Sequence, residues 1–180
     1  MLYTVGHGTR TTDELIDVLR AGGVSRLVDV RRFPASRRHP QFTREALGAS
    51  LPAGRIAYEW WGEELGGRRR AQPIERTRHP AWREASFRAY ADYMDTPKFR
   101  RAFDALLESA GGVATSVMCA ETVWWRCHRR LIADAAVMHG TDVLHLGLGT
   151  GPRPHVLNSA AREGEDGWPI YDVGTQLPLG

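Results

Sequence analysis

Short apolar runs alternate with segments of helical period along the first 146 residues, and this alternation leaves the chain few folds to choose from. Leu2 to Val5, Arg26 to Val30, Ile56 to Trp60, Val113 to Met118 and Asp142 to Leu146 each suit one buried strand and are too short for a buried helix. Strands joined through helices run parallel, and a parallel sheet needs both of its faces covered. The expected fold is α/β: a mostly parallel five-stranded sheet with helices on both faces, a Rossmann-like three-layer arrangement. Residues 1–180 are read as one domain, with residues 151–180 a partly irregular C-terminal extension carrying a short helical signal near Val156 to Arg162.

Local signals set the helix ends. Thr11 and Glu14 form a capping box ahead of Leu15, Ile16, Val18 and Leu19, and Gly22-Gly23 stops that helix. Thr43 caps a short helix through about Leu51, and Phe87 to Met94 reads as another. Thr96-Pro97 opens the next, whose buried stripe is Phe99, Phe103, Leu106 and Leu107. The last helix is expected over about Cys127 to His139, with Gly140 as its stop. Pro34 and Pro40 make the exit of the second strand a loop, and Glu63 to Arg70 is read as the exit loop of the third.

A chain of 180 residues can bury about 70% of its unfolded surface, so it needs neither disulfide nor metal to hold a core. No apolar run approaches the roughly 20 residues that span a bilayer, so no membrane partner is expected. Met1 to Gly6 reads as a strand rather than a signal peptide, which places the protein in the cytoplasm with its two cysteines as reduced thiols. The net charge is only +3, but every basic residue except Lys98 is arginine. Arg26 to Arg44 holds six arginines against Asp29 alone, a local excess that suits a nucleotide, nucleic acid or another polyanion. A GC-rich genome accounts for the preference for arginine over lysine, but not for its placement.

Unusual residues collect where strands end: Gly6 to Arg10, Asp29 to Arg38, Glu63 to Arg70 and Cys119 to Arg130. In open α/β sheets ligands bind at that edge, where helix N-termini offer free N–H groups to anions. The fourth cluster gathers Cys119, Glu121, Cys127, His128 and Arg129 at one strand-to-helix turn. Cys127 is the candidate nucleophile, since a helix start and neighbouring arginines favour thiolate, while Cys119, at a strand end, is expected to be less reactive. Both also have a reading as inert core thiols. His128, Glu121, His7 and Asp29 are candidates for proton transfer; Asp29 also has a reading as the residue that orients Arg31 or Arg10. Arg10, Arg31, Arg32, Arg37 and Arg129 are the candidate anion-binding residues. The eight-residue separation of the cysteines is not a zinc-finger spacing, and neither metal nor cofactor is expected. Cys119 with Arg126 has the order of a cysteine-phosphatase loop, but the segment between them is one residue too long and holds Trp124-Trp125.

Taken together, Gly6-His7-Gly8-Thr9-Arg10, Asp29-Val30-Arg31-Arg32-Phe33-Pro34, Ser36-Arg37, Pro40-Gln41-Phe42, Leu65-Gly66-Gly67, Phe87 to Met94, Cys119-Ala120-Glu121 and Cys127-His128-Arg129-Arg130 resemble an uncharacterised bacterial and archaeal family, domain of unknown function 488. The resemblance covers most of residues 2–146 and implies a compact α/β fold without supplying a reaction. The residues themselves point to a cytoplasmic enzyme acting on a phosphorylated small molecule, a nucleotide or a nucleic-acid component. The alternative is a non-catalytic nucleic-acid-binding or interaction protein that uses the arginine loop.

Overall fold

The computed structural model describes residues 1–35 and 37–174; Ser36, part of the family-like motif, and the last six residues of the expected C-terminal extension lie outside the described residues. In chain order the elements are β1 (Leu2–Gly6), α1 (Thr12–Ala21), β2 (Arg26–Asp29), α2 (Arg44–Ala53), β3 (Ala57–Trp60), α3 (Gly62–Leu65), α4 (Ala85–Met94), α5 (Pro97–Gly112), β4 (Thr115–Cys119), α6 (Arg129–Met138), β5 (Val143–His145), β6 (Arg153–Pro154), β7 (Ala161–Glu163) and β8 (Pro169–Tyr171). Six strands form one sheet in the order β3-β2-β4-β1-β5-β6, parallel throughout except for β6, which runs antiparallel to β5. The fold is therefore α/β and mostly parallel, with the two-residue β6 added to the five expected strands. Two residues starting with an arginine carry too little apolar pattern to read as a strand.

β4 lies between β1 and β2 and is buried along its whole length. Its alternation feeds two cores. Val117 and Cys119 pack with Phe99, Phe103 and Leu131 from α5 and α6 on one face. Met118 packs with Leu15 and Leu19 of α1 and Leu47 and Leu51 of α2 on the other. Each such side chain, taken out of water, contributes about 1.5–3 kcal/mol, which fixes both the register and which face each helix covers. The helix starts form as their sequence signals require. The Thr11 hydroxyl accepts from Glu14 N–H at 3.2 Å while the Glu14 carboxylate accepts from Thr11 N–H at 2.7 Å, and the Thr43 and Thr96 hydroxyls cap α2 and α5.

Two segments depart from expectation. The helical signal over Val156 to Arg162 yields no helix; Ala161–Glu163 instead pairs antiparallel with Pro169–Tyr171. The Asn158 side chain takes the N–H of Ala160, its own N–H is drawn to the carboxylate of Asp134, and the buried Tyr171 hydroxyl donates to that same carboxylate at 3.0 Å. These tertiary bonds outweigh a weak local propensity. In the exit loop of β3, Gly62 to Leu65 form the single helical turn α3.

Candidate functional site

The parallel register brings the strand exits together. Gly6 lies beside Cys119, and Asp29 lies beside both Met118 and Trp60. Close approach at this edge requires glycine at position 6: a β-carbon there would lie 1.9 Å from the Glu121 carbonyl oxygen and 2.8 Å from Nη2 of Arg129.

The first group at this edge is a buried charge network. The Asp29 carboxylate accepts from Arg31 Nε at 2.8 Å and Nη2 at 2.5 Å, from the Arg31 backbone N–H at 3.0 Å and from the Tyr58 hydroxyl at 2.9 Å. Nη2 of Arg31 also donates to the Phe42 carbonyl at 2.8 Å, and Nη1 donates to Nε2 of His7 at 3.2 Å. His7 Nδ1 faces the Gly8 carbonyl at 3.0 Å, so the proton sits on Nδ1 and Nε2 accepts. Burial, and then the charge of Arg31, lowers the pKa of His7 from 6.5 to about 4, so the ring is neutral at neutral pH. It stacks on Phe42 at 4.2 Å. His7, Asp29 and Arg31 thus satisfy one another, with both His7 nitrogens and the Arg31 fork directed inward. Arg10 is likewise turned to the backbone, donating to the carbonyls of Gly6 at 2.6 Å and Gly147 at 2.7 Å.

The second group is the thiol pair. α6 begins at Arg129, so Cys127 sits two residues ahead of the helix, in extended conformation, rather than opening it as expected. A short 3-10 turn over Trp124–Arg126 takes the preceding residues, and the extended backbone at Cys127 turns its sulfur back toward the helix start. The two sulfurs are 2.9 Å apart, with the Cys119 thiol directed at Cys127. Nε of Arg129 donates to Cys119 at 3.1 Å and to Cys127 at 3.2 Å, and the Arg129 backbone N–H donates to Cys127 at 3.4 Å. Arg129 is only 1% exposed; its Nη2 donates to the Glu121 carbonyl. Burial alone would raise the pKa of Cys127, but the hydrogen bond from Cys119 and the charge of Arg129 reverse that and hold it well below the usual thiol range. Burial, and the thiol's hydrogen bond to Cys127, push Cys119 the other way. The surroundings thus push the two sulfurs in opposite directions, Cys127 towards the thiolate and Cys119 towards the neutral thiol.

His128 donates from Nε2 to the Val30 carbonyl at 3.0 Å and its ring lies 5.0 Å from that of Tyr90. Burial lowers its pKa although the charge of Cys127 pulls it up. The neutral ring therefore has its lone pair on Nδ1, the edge lying against Gly67.

A cavity of about 390 Å³ opens over this group, within the usual range of small-molecule sites. Cys119, Cys127 and His128 line its buried end. Tyr90, whose hydroxyl donates to the Leu65 carbonyl at 2.6 Å, and Phe87 supply apolar wall. Arg32, Arg68 and Arg126 reach it from three different loops, against the carboxylates of Glu84 and Glu121. Arg68 is held at φ 56°, a left-handed conformation that costs an arginine about 1 kcal/mol. Arg37 is exposed in the loop after β2 and is not among the lining residues. The motif clusters after β2, β3 and β4 thus share one cavity, and the cluster after β1 adjoins it through the bond from Arg31 to His7.

Residues 11–136, well over half of the chain, match the family model described as domain of unknown function DUF488. The chain belongs to this family. No curated protein and no solved structure matches it. The matched span of the DUF488 domain includes every residue lining the cavity and stops short of the Gly6 to Arg10 cluster. Among the described residues no group of three or more His, Cys, Asp and Glu side chains converges as metal ligands would, and no helix is long and apolar enough to cross a membrane.

Several contributors to the site carried no clear sequence signal. Arg68 sits in a triple-arginine run that reads as solvated loop, and Tyr90 reads only as helix core. Behind the thiols, Arg129 Nη1 lies 3.5 Å from the Thr4 hydroxyl, which is 2.6 Å from Nδ1 of His145; Nε2 of His145 is 3.0 Å from Nδ1 of His155, whose Nε2 is 2.8 Å from the Asp134 carboxylate. Because the guanidinium only donates and the carboxylate only accepts, every bond in this chain points the same way, from Arg129 to Asp134. The available clue was polarity inside apolar strands: Thr4 in β1 and His145 in β5.

Proposed function

We propose that this DUF488 protein is a cysteine-dependent enzyme acting on a small anionic molecule, with phosphorylated compounds and nucleotides as its leading substrates. The observation that carries this reading is the Cys127 sulfur at the buried end of a cavity, receiving three hydrogen bonds, two of them from Arg129. A sulfur so held is a nucleophile at neutral pH, because the thiolate is the reactive form. Nδ1 of His128 is the group suited to exchange a proton with substrate or leaving group. Arg32, Arg68 and Arg126 hold the anion, since they line the cavity without the internal bonds that occupy Arg31, which also borders it, and Arg129, which does not. Phe33 is 63% exposed with the guanidinium of Arg32 5.7 Å from its ring centroid, a surface on which a base could stack, which favours a nucleotide or nucleic-acid component over a bare phosphate ester.

The test is a thermal-shift titration at low salt with inorganic phosphate and nucleoside monophosphates, on the native protein and on a variant combining Arg32→Ala and Arg126→Ala. Both ligand classes are expected to raise the melting temperature of the native protein, nucleotides more than phosphate, and neither is expected to do so in the variant. An undiminished shift in the variant would move the anion site out of this cavity.

A further inference from the structure

A nucleophilic cysteine needs no second cysteine, yet the only two in this chain face each other across the buried end of the cavity. They come from different elements, Cys119 from the end of β4 and Cys127 from the turn before α6, and their sulfurs are 2.9 Å apart. A disulfide bond brings two sulfurs to about 2.05 Å, so closure asks for about another ångström, within the range of a side-chain rotation. Both line the cavity, but Cys127 receives three hydrogen bonds and is the more exposed at 7%, while Cys119 receives one, donates to Cys127 and is 2% exposed. This asymmetry assigns the order of attack.

We propose that Cys119 and Cys127 form an exchange dithiol that reduces small anionic disulfides, with Cys127 attacking and Cys119 resolving. The proposal rests on Cys127 as the nucleophile of the preceding section and gives that nucleophile a specific electrophile, the sulfur of a disulfide R–S–S–R carrying carboxylate or phosphate groups. In the first step the Cys127 sulfur forms a bond to one substrate sulfur, the substrate S–S bond breaks, and R–S⁻ leaves. In the second step the Cys119 sulfur bonds to Cys127, its proton passes to the second departing R–S⁻, and R–SH is released. The cysteine pair loses two electrons and the substrate disulfide gains them, yielding one thiolate and one thiol. The substrate's anionic groups sit against Arg32, Arg68 and Arg126.

Arg129 also fixes the direction in which this centre leans. In the reduced state its buried guanidinium faces the sulfur of Cys127; in the disulfide state that anionic partner is gone and the cation stays buried. An arrangement that stabilises the reduced form makes the disulfide a ready oxidant. The substrates it reduces are therefore disulfides whose thiols are better leaving groups than glutathione, and the oxidised protein should be re-reduced readily by a monothiol such as glutathione, rather than persist as a structural disulfide would.

The experiment treats the full-length reduced protein with 5,5′-dithiobis(2-nitrobenzoate), a dianionic disulfide, and with cystamine, a dicationic one. Thiolate release, or adduct formation for cystamine, is followed in time, the mass of the native protein is read, and each rate is divided by the rate for free cysteine. The native protein is expected to release two nitrothiobenzoates per chain and to end two mass units lighter with no adduct. Its normalised rate with the anionic reagent is expected to be at least about tenfold that with cystamine, the scale of one to two unit charges at close range, and inorganic phosphate is expected to slow it. Cys119→Ser, and separately Cys119→Ala, are expected to stop at one equivalent with a stable adduct on Cys127. A native protein that retains its adduct at Cys127 would overturn the resolving role while leaving the nucleophile intact. A native protein in which Cys127 does not react would overturn both.

Discussion

Arg31 is the residue whose removal most directly probes the buried network behind the site. Its guanidinium gives the fully buried Asp29 carboxylate its only ion pair among the described residues and also holds the Phe42 carbonyl and the imidazole of His7. Arg31→Met keeps much of the side-chain length and removes the charge, leaving Asp29 with the Tyr58 hydroxyl as its remaining side-chain hydrogen bond. Breaking one side of a buried ion pair costs about 3–5 kcal/mol, most of it from the charge left without its counterpart. For a chain of this size about 1 kcal/mol corresponds to roughly 2–4 °C, so the melting temperature should fall by about 6–20 °C. The double variant Asp29→Asn with Arg31→Met removes the orphaned charge and should recover a large part of the loss, giving a coupling of at least about 2 kcal/mol in a double-mutant cycle from urea unfolding. A loss under about 1 kcal/mol in Arg31→Met, or strict additivity in the cycle, would refute the assignment of this pair as a buried, mutually dependent unit.

Two further perturbations follow from the same reasoning. His7, lowered from 6.5 to about 4 first by burial and then by the charge of Arg31, and His145, lowered to about 3 first by burial and then by the neighbouring His155 and Arg129, are both neutral in the native state. The unfolded chain therefore binds more protons below about pH 6.5, and stability, complete above that value, should fall by several kcal/mol as pH drops towards 4; His7→Gln should flatten this slope in unfolding measured over a pH series, and an unchanged slope would remove His7 as a source. Thr4→Val takes the hydroxyl from between Arg129 and His145, leaving the Nδ1 edge of His145 without its partner, and should cost about 1–3 kcal/mol in urea unfolding; a neutral change would show that the polar chain does not support the sheet.

The framework was legible because strong, local signals coincided with the tertiary structure. The capping box at Thr11 and Glu14, the Thr96-Pro97 start and the apolar runs of β1, β2 and β4 all describe what the backbone does there. The grouping of clusters on one edge followed from topology alone, since every exit of a parallel strand lies on the same side. What could not be read was direction. Arg31 and Arg32 are neighbours of the same type and both border the cavity, but the fork of Arg31 is bound into Asp29 while Arg32 makes no such pair among the described residues. Arg126 and Arg129 divide in the same way. The difference arises from which face of the chain meets a carboxylate or sulfur contributed from elsewhere, a pairing that neither spacing nor composition encodes. The segment from Val156 to Arg162 fails for a related reason, because its backbone is recruited by Asp134, more than twenty residues away.

The central claim is that Cys127 is held as a thiolate in the native protein while Cys119 is not. Its most direct measurement is the rate of alkylation by iodoacetamide across a pH series, with the modified residue identified by mass spectrometry. Modification is expected at Cys127, with a rate already near its plateau at neutral pH and a midpoint well below the roughly 8.5 of free cysteine, and with Cys119 unmodified until the protein unfolds. A midpoint at or above that of free cysteine, or equally slow labelling of both thiols in the native state, would contradict the account.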